Sequence, residues 1–111
     1  MTANEYQQLA LRTRNPNLSL SEQLVDGVMG LCGEAGECID IVKKHRCQNH
    51  ILDLEHLAKE LGDVAWYLAL SAFAIGYSLD EIFEMNIEKV NERYPDGFDP
   101  DKSINRREGD I

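Results

Sequence analysis

Two stretches, GLCGEAGE (residues 30–37) and KELGD (residues 59–63), organise this chain of 111 residues. Each ends in two carboxylates three residues apart, namely Glu34 and Glu37 in the first and Glu60 and Asp63 in the second. Residues three apart lie on the same face of a helix. If two such helices pack face to face, four carboxylates converge, and a hard divalent cation would offset their repulsion. The spacing therefore predicts a metal site between two helices.

Apolar periodicity predicts four helices. They should cover about residues 2–13, 20–47 and 54–75, with the fourth running from Ser78 to shortly before Pro95. Ser19 with Glu22, and Ser78 with Glu81, have the spacing of capping boxes, and Asp53 suits an N-cap. No stretch alternates between apolar and polar residues as a strand would.

The fold class predicted is all-α, a bundle of about four helices in which the two long central helices form an antiparallel pair. Both long helices are apolar over a wide arc, so each should be buried on more than one side. A chain of this length forms one domain, residues 1–111, and part of its core should lie at a subunit interface. From about residue 99 the chain is polar, which predicts a loop and a loosely held tail.

Composition excludes some classes of protein. The chain has 11 Lys and Arg against 20 Asp and Glu, a net charge of −9, which is unsuited to binding nucleic acid. The longest uncharged run, residues 64–79, is shorter than the roughly 20 residues of a membrane span, and no signal peptide opens the chain. Three cysteines without a zinc-knuckle spacing indicate a reducing, cytoplasmic setting. His45, Cys47 and His50 lack a fourth zinc ligand, so a polar helix end explains them better.

Four glycines, Gly30, Gly33, Gly36 and Gly62, fall inside predicted helices, where each costs about 1 kcal/mol relative to Ala. Close helix packing, or a ligand lying against the backbone, would explain that cost. Oxygen ligands favour Mg²⁺ or Mn²⁺ over zinc. A di-iron centre would need Glu-x-x-His motifs, and neither acidic pair ends in His.

The fourth predicted helix carries Asn86, Lys89 and Arg93 on one polar face, where the two cations could take phosphate oxygens. By spacing alone, a solvated face is favoured, with mutual ion pairs among Glu88, Lys89, Glu92 and Arg93.

The segments GLCGEAGE, ELGDVAWYLA and NIEKVNERYPDGF resemble the MazG-type nucleotide pyrophosphohydrolases of the all-α NTP pyrophosphatase superfamily. The resemblance spans about residues 24–98 and includes the ExxE…ExxD signature, with 22 residues between Glu37 and Glu60. It implies cleavage of a nucleoside triphosphate between the α and β phosphates, for example to clear surplus or non-standard deoxynucleotides. It also implies Mg²⁺, with Mn²⁺ as a substitute, and a homodimer or homotetramer whose active sites are built from helices of a tight subunit pair.

The resemblance assigns roles to particular residues. Glu34, Glu37, Glu60 and Asp63 would hold the metal, and Glu37 is our choice for activating the attacking water. Lys89 and Asn86 would contact phosphates, while Arg93 stays better explained by an ion pair. Lys43 and Tyr67 are further candidates for the triphosphate. Trp66 is equally suited to stacking on a base and to core packing.

Two alternatives remain open from the sequence. One is a non-catalytic helical assembly module whose acidic pairs are structural or bind a regulatory metal. The other is catalysis on a different substrate, as in the phosphoribosyl-ATP pyrophosphatases of the same superfamily.

Overall fold

The computed structural model describes all 111 residues and contains five helices. They are α1 (Ala3–Leu11), α2 (Leu20–Gln48), α3 (Leu54–Ala74), α4 (Leu79–Arg93) and α5 (Pro100–Ile104). The only strand-like feature is an isolated bridge between Pro95 and Gly97. The prediction of an all-α fold is confirmed. None of the helices combines the length and apolarity needed to cross a membrane.

Local sequence explains where the helices begin. The hydroxyls of Ser19 and Ser78 each accept the backbone N–H three residues on, and the Glu at that position accepts the N–H of the serine, so both capping boxes form. Asp53 caps α3 by accepting the N–H of His56 at 3.0 Å. After α3, Gly76 adopts a φ of +83°, a left-handed conformation that ends a helix at little cost for glycine.

The long helices α2 and α3 form an antiparallel pair that dominates the fold. Gly27 lies against Ser71 and Gly30 against Tyr67, so later residues of α2 contact earlier residues of α3. A Cβ at Gly27 would lie 2.5 Å from Ser71 Oγ and 3.1 Å from its backbone nitrogen. Close approach of the two backbones therefore requires glycine at this position.

A buried glutamine ties α1 to the rest of the bundle. The Gln7 amide donates to the carbonyls of Ala69 and Tyr77, both at 3.2 Å, and accepts the N–H of Leu79 at 3.0 Å. All its contacts run to backbone groups of α3, the α3–α4 turn and α4, and the small core of Ala10, Ala69, Ala72 and Leu79 surrounds it. Gln7 thus satisfies polar groups at a junction of three helices.

The C-terminal segment is more ordered than the polar composition predicts. Asp99 caps α5, and Pro100 occupies its first turn, so the expectation of an irregular loop is wrong over residues 100–104. Beyond α5, Asp110 forms a two-pronged ion pair with Arg93, at 2.8 and 2.7 Å. The Arg93 side chain lowers the pKa of the Asp110 carboxyl by donating these hydrogen bonds. The tail is therefore fastened to the end of α4.

Candidate metal centre

Three carboxylates from α2 and α3 converge where the two helices face each other. One oxygen from each of Glu34, Glu60 and Asp63 lies within 4.8 Å of the other two. Glu60 and Asp63 are a helical turn apart on α3, and Glu34 faces them from α2. Glu34 and Glu60 are half-buried and Asp63 is exposed. We call this group the acidic trio.

Crowding raises the pKa of Glu34 above its usual value. The first cause is its hydrogen bond with Glu60, followed by partial burial and then by the negative charges of Asp63, Glu60 and Glu37. The same charges, after partial burial, raise the pKa of the Cys38 thiol. No Lys or Arg pairs with any member of the trio. The trio therefore carries negative charge that no Lys or Arg of the chain offsets.

The chemistry of the trio fits a hard divalent cation. All its donors are carboxylate oxygens, the ligand type that Mg²⁺ and Mn²⁺ prefer. Mg²⁺ bound by a few carboxylates retains positions for water and for phosphate oxygens. A cation between the three groups would offset the repulsion among their negative charges.

Glu37 lies outside the trio. It is exposed on α2, three residues beyond Glu34, and close enough for its charge to contribute to the raised pKa of Glu34. Within a single chain the four predicted carboxylates thus form a group of three with a neighbour at its edge.

A cleft of about 350 Å³ adjoins the trio, lined by Glu34, Asp63, Trp66 and Tyr67. Gly30 leaves the space in which the Tyr67 ring lies, because a Cβ there would overlap that ring. The rings of Trp66 and Tyr67 pack edge to face, with their centroids 5.0 Å apart and their planes at 84°. Two aromatic side chains and two carboxylates thus form one wall of a site for a small molecule.

Trp66 is also fastened to α1. Its indole N–H donates to the carbonyl of Ala10 at 3.0 Å and to the hydroxyl of Thr13 at 2.9 Å. The side chain thus lines the cleft with one part of its surface and anchors the end of α1 with another. The two roles considered for Trp66 are therefore compatible in space.

The basic residues predicted to contact phosphates do not line this cleft. Lys43 borders a different hollow on α2, with Gly36, Ile39 and Asp40. Asn86 and Lys89 line a hollow between α4 and the C-terminal tail. Arg93 pairs with Asp110, and Glu92 pairs with Arg107 at 3.2 Å, so these α4 charges pair with the tail rather than with each other.

Two residues beside the trio were not assigned a role by the sequence. Tyr6 of α1 has a raised pKa, first because it is partly buried and then because of the charge of Asp63. Its place in the apolar stripe of α1 gave no sign of that neighbour. His56 lies 3.2 Å from Glu60. The His-x-x-x-Glu spacing on one helix was visible in the sequence and is the signal that could have found it.

Comparison with known protein families identifies the family of this chain. The family model for the MazG nucleotide pyrophosphohydrolase domain matches residues 27–98. This chain belongs to the MazG nucleotide pyrophosphohydrolase family. The matched region includes the acidic trio, Glu37 and both aromatic residues of the cleft, and the predicted resemblance is confirmed.

The chain is also similar to a bacteriophage protein over most of its length. The chain is 37% identical over 82 residues to the Gene 37 protein of Mycobacterium phage L5, covering 70% of this chain and 72% of the relative. No solved structure matches the chain significantly.

Proposed function

We propose that this MazG domain is a Mg²⁺-dependent hydrolase that cleaves ribo- or deoxyribonucleoside triphosphates between the α and β phosphates. The observation that carries the proposal is the acidic trio, in which oxygens of Glu34, Glu60 and Asp63 lie within 4.8 Å of one another beside an aromatic cleft. Mn²⁺ is a chemically suitable substitute. Removal of surplus or non-standard nucleotides from the cellular pool is the biological role that this activity would serve.

The chain supplies two chemical roles in this proposal. Glu34, Glu60 and Asp63 would hold the metal, and the bound ion would supply positive charge to offset that of the triphosphate. Glu37, exposed at the edge of the trio, accepts a proton from the attacking water. The water oxygen bonds to the α phosphorus, the bond from that phosphorus to the bridging oxygen breaks, and pyrophosphate leaves. A nucleoside monophosphate is the second product.

The aromatic wall suits the nucleoside part of the substrate. Tyr67 lies one helical turn beyond Asp63 and lines the cleft with it, so the phenol is within reach of a ligand held by the trio. Trp66 offers a flat apolar surface whose position is fixed by its hydrogen bonds to α1. Phosphates near the carboxylates and a base near the rings is the arrangement that this geometry favours.

A panel of ribo- and deoxyribonucleoside triphosphates with Mg²⁺ tests the proposed reaction. The expected products are pyrophosphate and a nucleoside monophosphate. Orthophosphate as the first product would contradict cleavage at the α phosphorus. Phosphoribosyl-ATP belongs in the panel, and turnover of that compound alone would transfer the assignment to the related pyrophosphatase activity. Failure to cleave any of them would favour a helical assembly module.

Glu37→Gln tests the role of the residue at the edge of the trio. The change keeps the size of the side chain and removes its ability to accept a proton. Pyrophosphate release should fall by at least about 100-fold, the range for loss of a general base, while the circular dichroism spectrum stays helical. Glu88→Gln, an exposed carboxylate on α4, is the matched control and should keep its activity.

The exposed surface supports assembly of this chain as a homodimer or homotetramer. The chain exposes 8204 Å², against about 6,200 Å² expected for a compact monomer of this mass. The radius of gyration, 17.0 Å, exceeds the roughly 13 Å expected for this length. Only 8 of 111 residues are buried. The excess of about 2,000 Å² is more than one partner contributes to a standard interface, about 800 Å².

One side of α2 is suited to such an interface. Its exposed apolar residues include Val25, Met29, Cys32 and Ile39, spaced by three, four or seven as on a single helix face. Because α2 packs chiefly against α3, this face has no counterpart within the chain. We assign it to a second copy.

A second copy would also supply cations that the cleft lacks. None of the four residues that line the cleft is basic, although a triphosphate carries several negative charges. Lys89, with Asn86, lies elsewhere in the same chain, and so does Lys43. We therefore propose that each site combines the trio of one chain with lysines of its partner.

Mixing two inactive variants tests whether sites are shared. Glu60→Gln removes a metal ligand, and Lys89→Ala removes a phosphate contact. In a mixed dimer, one site would receive its trio from the Lys89→Ala chain and its lysine from the Glu60→Gln chain. With random pairing, about a quarter of wild-type activity should return. If each site uses Lys89 of its own chain, mixing restores nothing.

A further inference from the structure

His56 contacts the acidic trio from outside. Its Nε2 lies 3.2 Å from Oε1 of Glu60, one helical turn further along α3. The Glu60 side chain is 18% exposed and the His56 side chain 56% exposed, so the ring reaches the carboxylate from the solvent side. No nitrogen of His56 belongs to the group of atoms within 4.8 Å of one another. The ring is therefore placed to hold a ligand rather than to be one.

The backbone of His56 is fixed independently of the metal centre. Its N–H donates to the Asp53 carboxylate, the N-cap of α3, at 3.0 Å. The imidazole thus extends from the first turn of α3, whose backbone is held in place by the N-cap hydrogen bond. From that position the ring reaches Glu60 along the same helix face.

Glu60 otherwise has only negative neighbours. One oxygen of its carboxylate lies within 4.8 Å of oxygens of Glu34 and Asp63. No lysine or arginine pairs with it, and His56 is the only cationic or potentially cationic side chain within ion-pair distance. In an acidic cluster, repulsion favours rotamers that turn a carboxylate away from its neighbours. A single donor on the opposite side can hold the carboxylate in place.

We propose that His56 is a positioning residue that donates its Nε2–H to Oε1 of Glu60 and so orients this carboxylate for cation binding. The inference rests on the proposed function, because it takes the trio as the metal site. An imidazole with a proton on Nε2 donates whether the ring is neutral or charged, so the role does not depend on titration. With one carboxylate oxygen accepting from the ring, Glu60 keeps a second oxygen that could act as a ligand. A ligand held before binding loses less conformational entropy when the cation arrives.

Mn²⁺ binding without nucleotide tests this role directly. Electron paramagnetic resonance of free Mn²⁺ gives the affinity of the full-length wild-type protein and of each variant. His56→Leu keeps much of the volume but cannot donate, and its affinity should fall about tenfold, the lower end for loss of an outer hydrogen bond to a metal ligand. His56→Gln retains a side-chain N–H donor and should recover most of that loss.

Lys59→Gln is the control for general effects on α3. Lys59 is close to the trio in sequence, but its ion pair, at 3.4 Å, is with Glu55, and both side chains are largely exposed. The variant should bind Mn²⁺ within about twofold of the wild type, as expected for an exposed pair that contributes little. A similar loss in Lys59→Gln and His56→Leu would overturn the positioning role in favour of a nonspecific effect on the helix.

Activity provides a second measurement. If His56 only orients Glu60, His56→Leu should need about tenfold more Mg²⁺ for half-maximal activity, while kcat at saturating Mg²⁺ stays near that of the wild type. Equal Mn²⁺ affinity of the wild type and His56→Leu would overturn the inference and leave the proposed function intact. Absence of Mn²⁺ binding by the wild type would overturn both.

Discussion

Gly30→Ala tests whether close packing of α2 on α3 holds Tyr67 in the cleft. A Cβ at this position would lie 2.5 Å from Cζ of Tyr67 and closer still to Cδ1 and Cε1. Ordinary contacts between carbon atoms are about 3.5–4.0 Å, so either the ring must leave its place or the helices must separate by about 1 Å. Both responses disturb the wall that Tyr67 forms beside Asp63.

The expected change in stability follows from two opposing effects. Overpacking costs about 1–3 kcal/mol. Alanine in place of glycine inside a helix returns about 1 kcal/mol. The free energy of unfolding should therefore fall by about 1 kcal/mol. Gly33→Ala is the matched control on the same helix, because a Cβ at Gly33 would meet no atom from another part of the molecule within 4 Å. It should gain about 1 kcal/mol, so the two variants should differ by about 2 kcal/mol.

Urea unfolding at one protein concentration measures this difference, and a shared concentration is needed because assembly would couple to folding. Fluorescence provides a local reading, since Trp66 is the single tryptophan and its ring meets Tyr67 edge-on. Its emission should change in Gly30→Ala and stay unchanged in Gly33→Ala. Equal stabilisation of both variants, with unchanged emission, would refute the role assigned to Gly30.

Three further changes test the fold and the trio. Gln7→Leu removes the hydrogen-bond partner of backbone groups in three residues, so the free energy of unfolding measured in urea should fall by about 3 kcal/mol. In the control variant Gln8→Leu, where the residue is exposed, it should stay within about 0.5 kcal/mol of the wild-type value. Because Arg93 lowers the pKa of Asp110, the Asp110→Asn variant should have a lower melting temperature than the wild type at pH 7. The difference should vanish as the pH falls through that lowered pKa, and a difference that does not change with pH would count against the ion pair. Because the pKa of Glu34 is raised, the stability that its protonated form contributes is lost as the pH rises through that pKa, and without metal the Glu34→Gln variant should have a higher melting temperature than the wild type at pH 7. Mg²⁺ should raise the melting temperature of the wild type alone, and an equal rise in both proteins would exclude Glu34 as a ligand.

The helix starts show how far local sequence reaches. Ser19, Asp53 and Ser78 were each predicted as caps from their own side chain and a partner within three residues, and each forms the predicted hydrogen bonds. Such interactions depend only on neighbours in the chain. They therefore form independently of how the helices pack against one another.

The candidate site shows where that reach ends. Spacing placed Glu34 with Glu37, and Glu60 with Asp63, on common helix faces, and the family match covers all four. The spacing does not say how α2 is rotated about its own axis. That rotation turns Glu34 toward α3 and leaves Glu37 at the edge of the trio. Which residues of each pair converge is decided by how two helices pack.

The glycines divide in the same way. Four helical glycines in the two stretches shared one explanation in the sequence, yet of these only Gly30 lies against a neighbouring side chain, while a Cβ at Gly33, Gly36 or Gly62 would meet nothing within 4 Å. Gly27, which the sequence did not single out, is a position where a Cβ would meet the backbone of α3. A glycine is identical in sequence whether it faces a backbone, a ring or open space.

The sequence alone determined the class of this protein: GLCGEAGE and KELGD predict helices bearing paired carboxylates, and with ELGDVAWYLA and NIEKVNERYPDGF they mark a domain of the MazG family. The helices and their paired carboxylates follow from periodicity, capping and residue type, which act over a few residues, and the family follows from the resemblance of the motifs. Tertiary structure alone decided that Glu34, Glu60 and Asp63 form the trio, that Tyr67 fills the space beside Gly30, and that His56 reaches Glu60. These contacts depend on side-chain rotamers and on the separation and rotation of packed helices, which residue order constrains only through the whole fold.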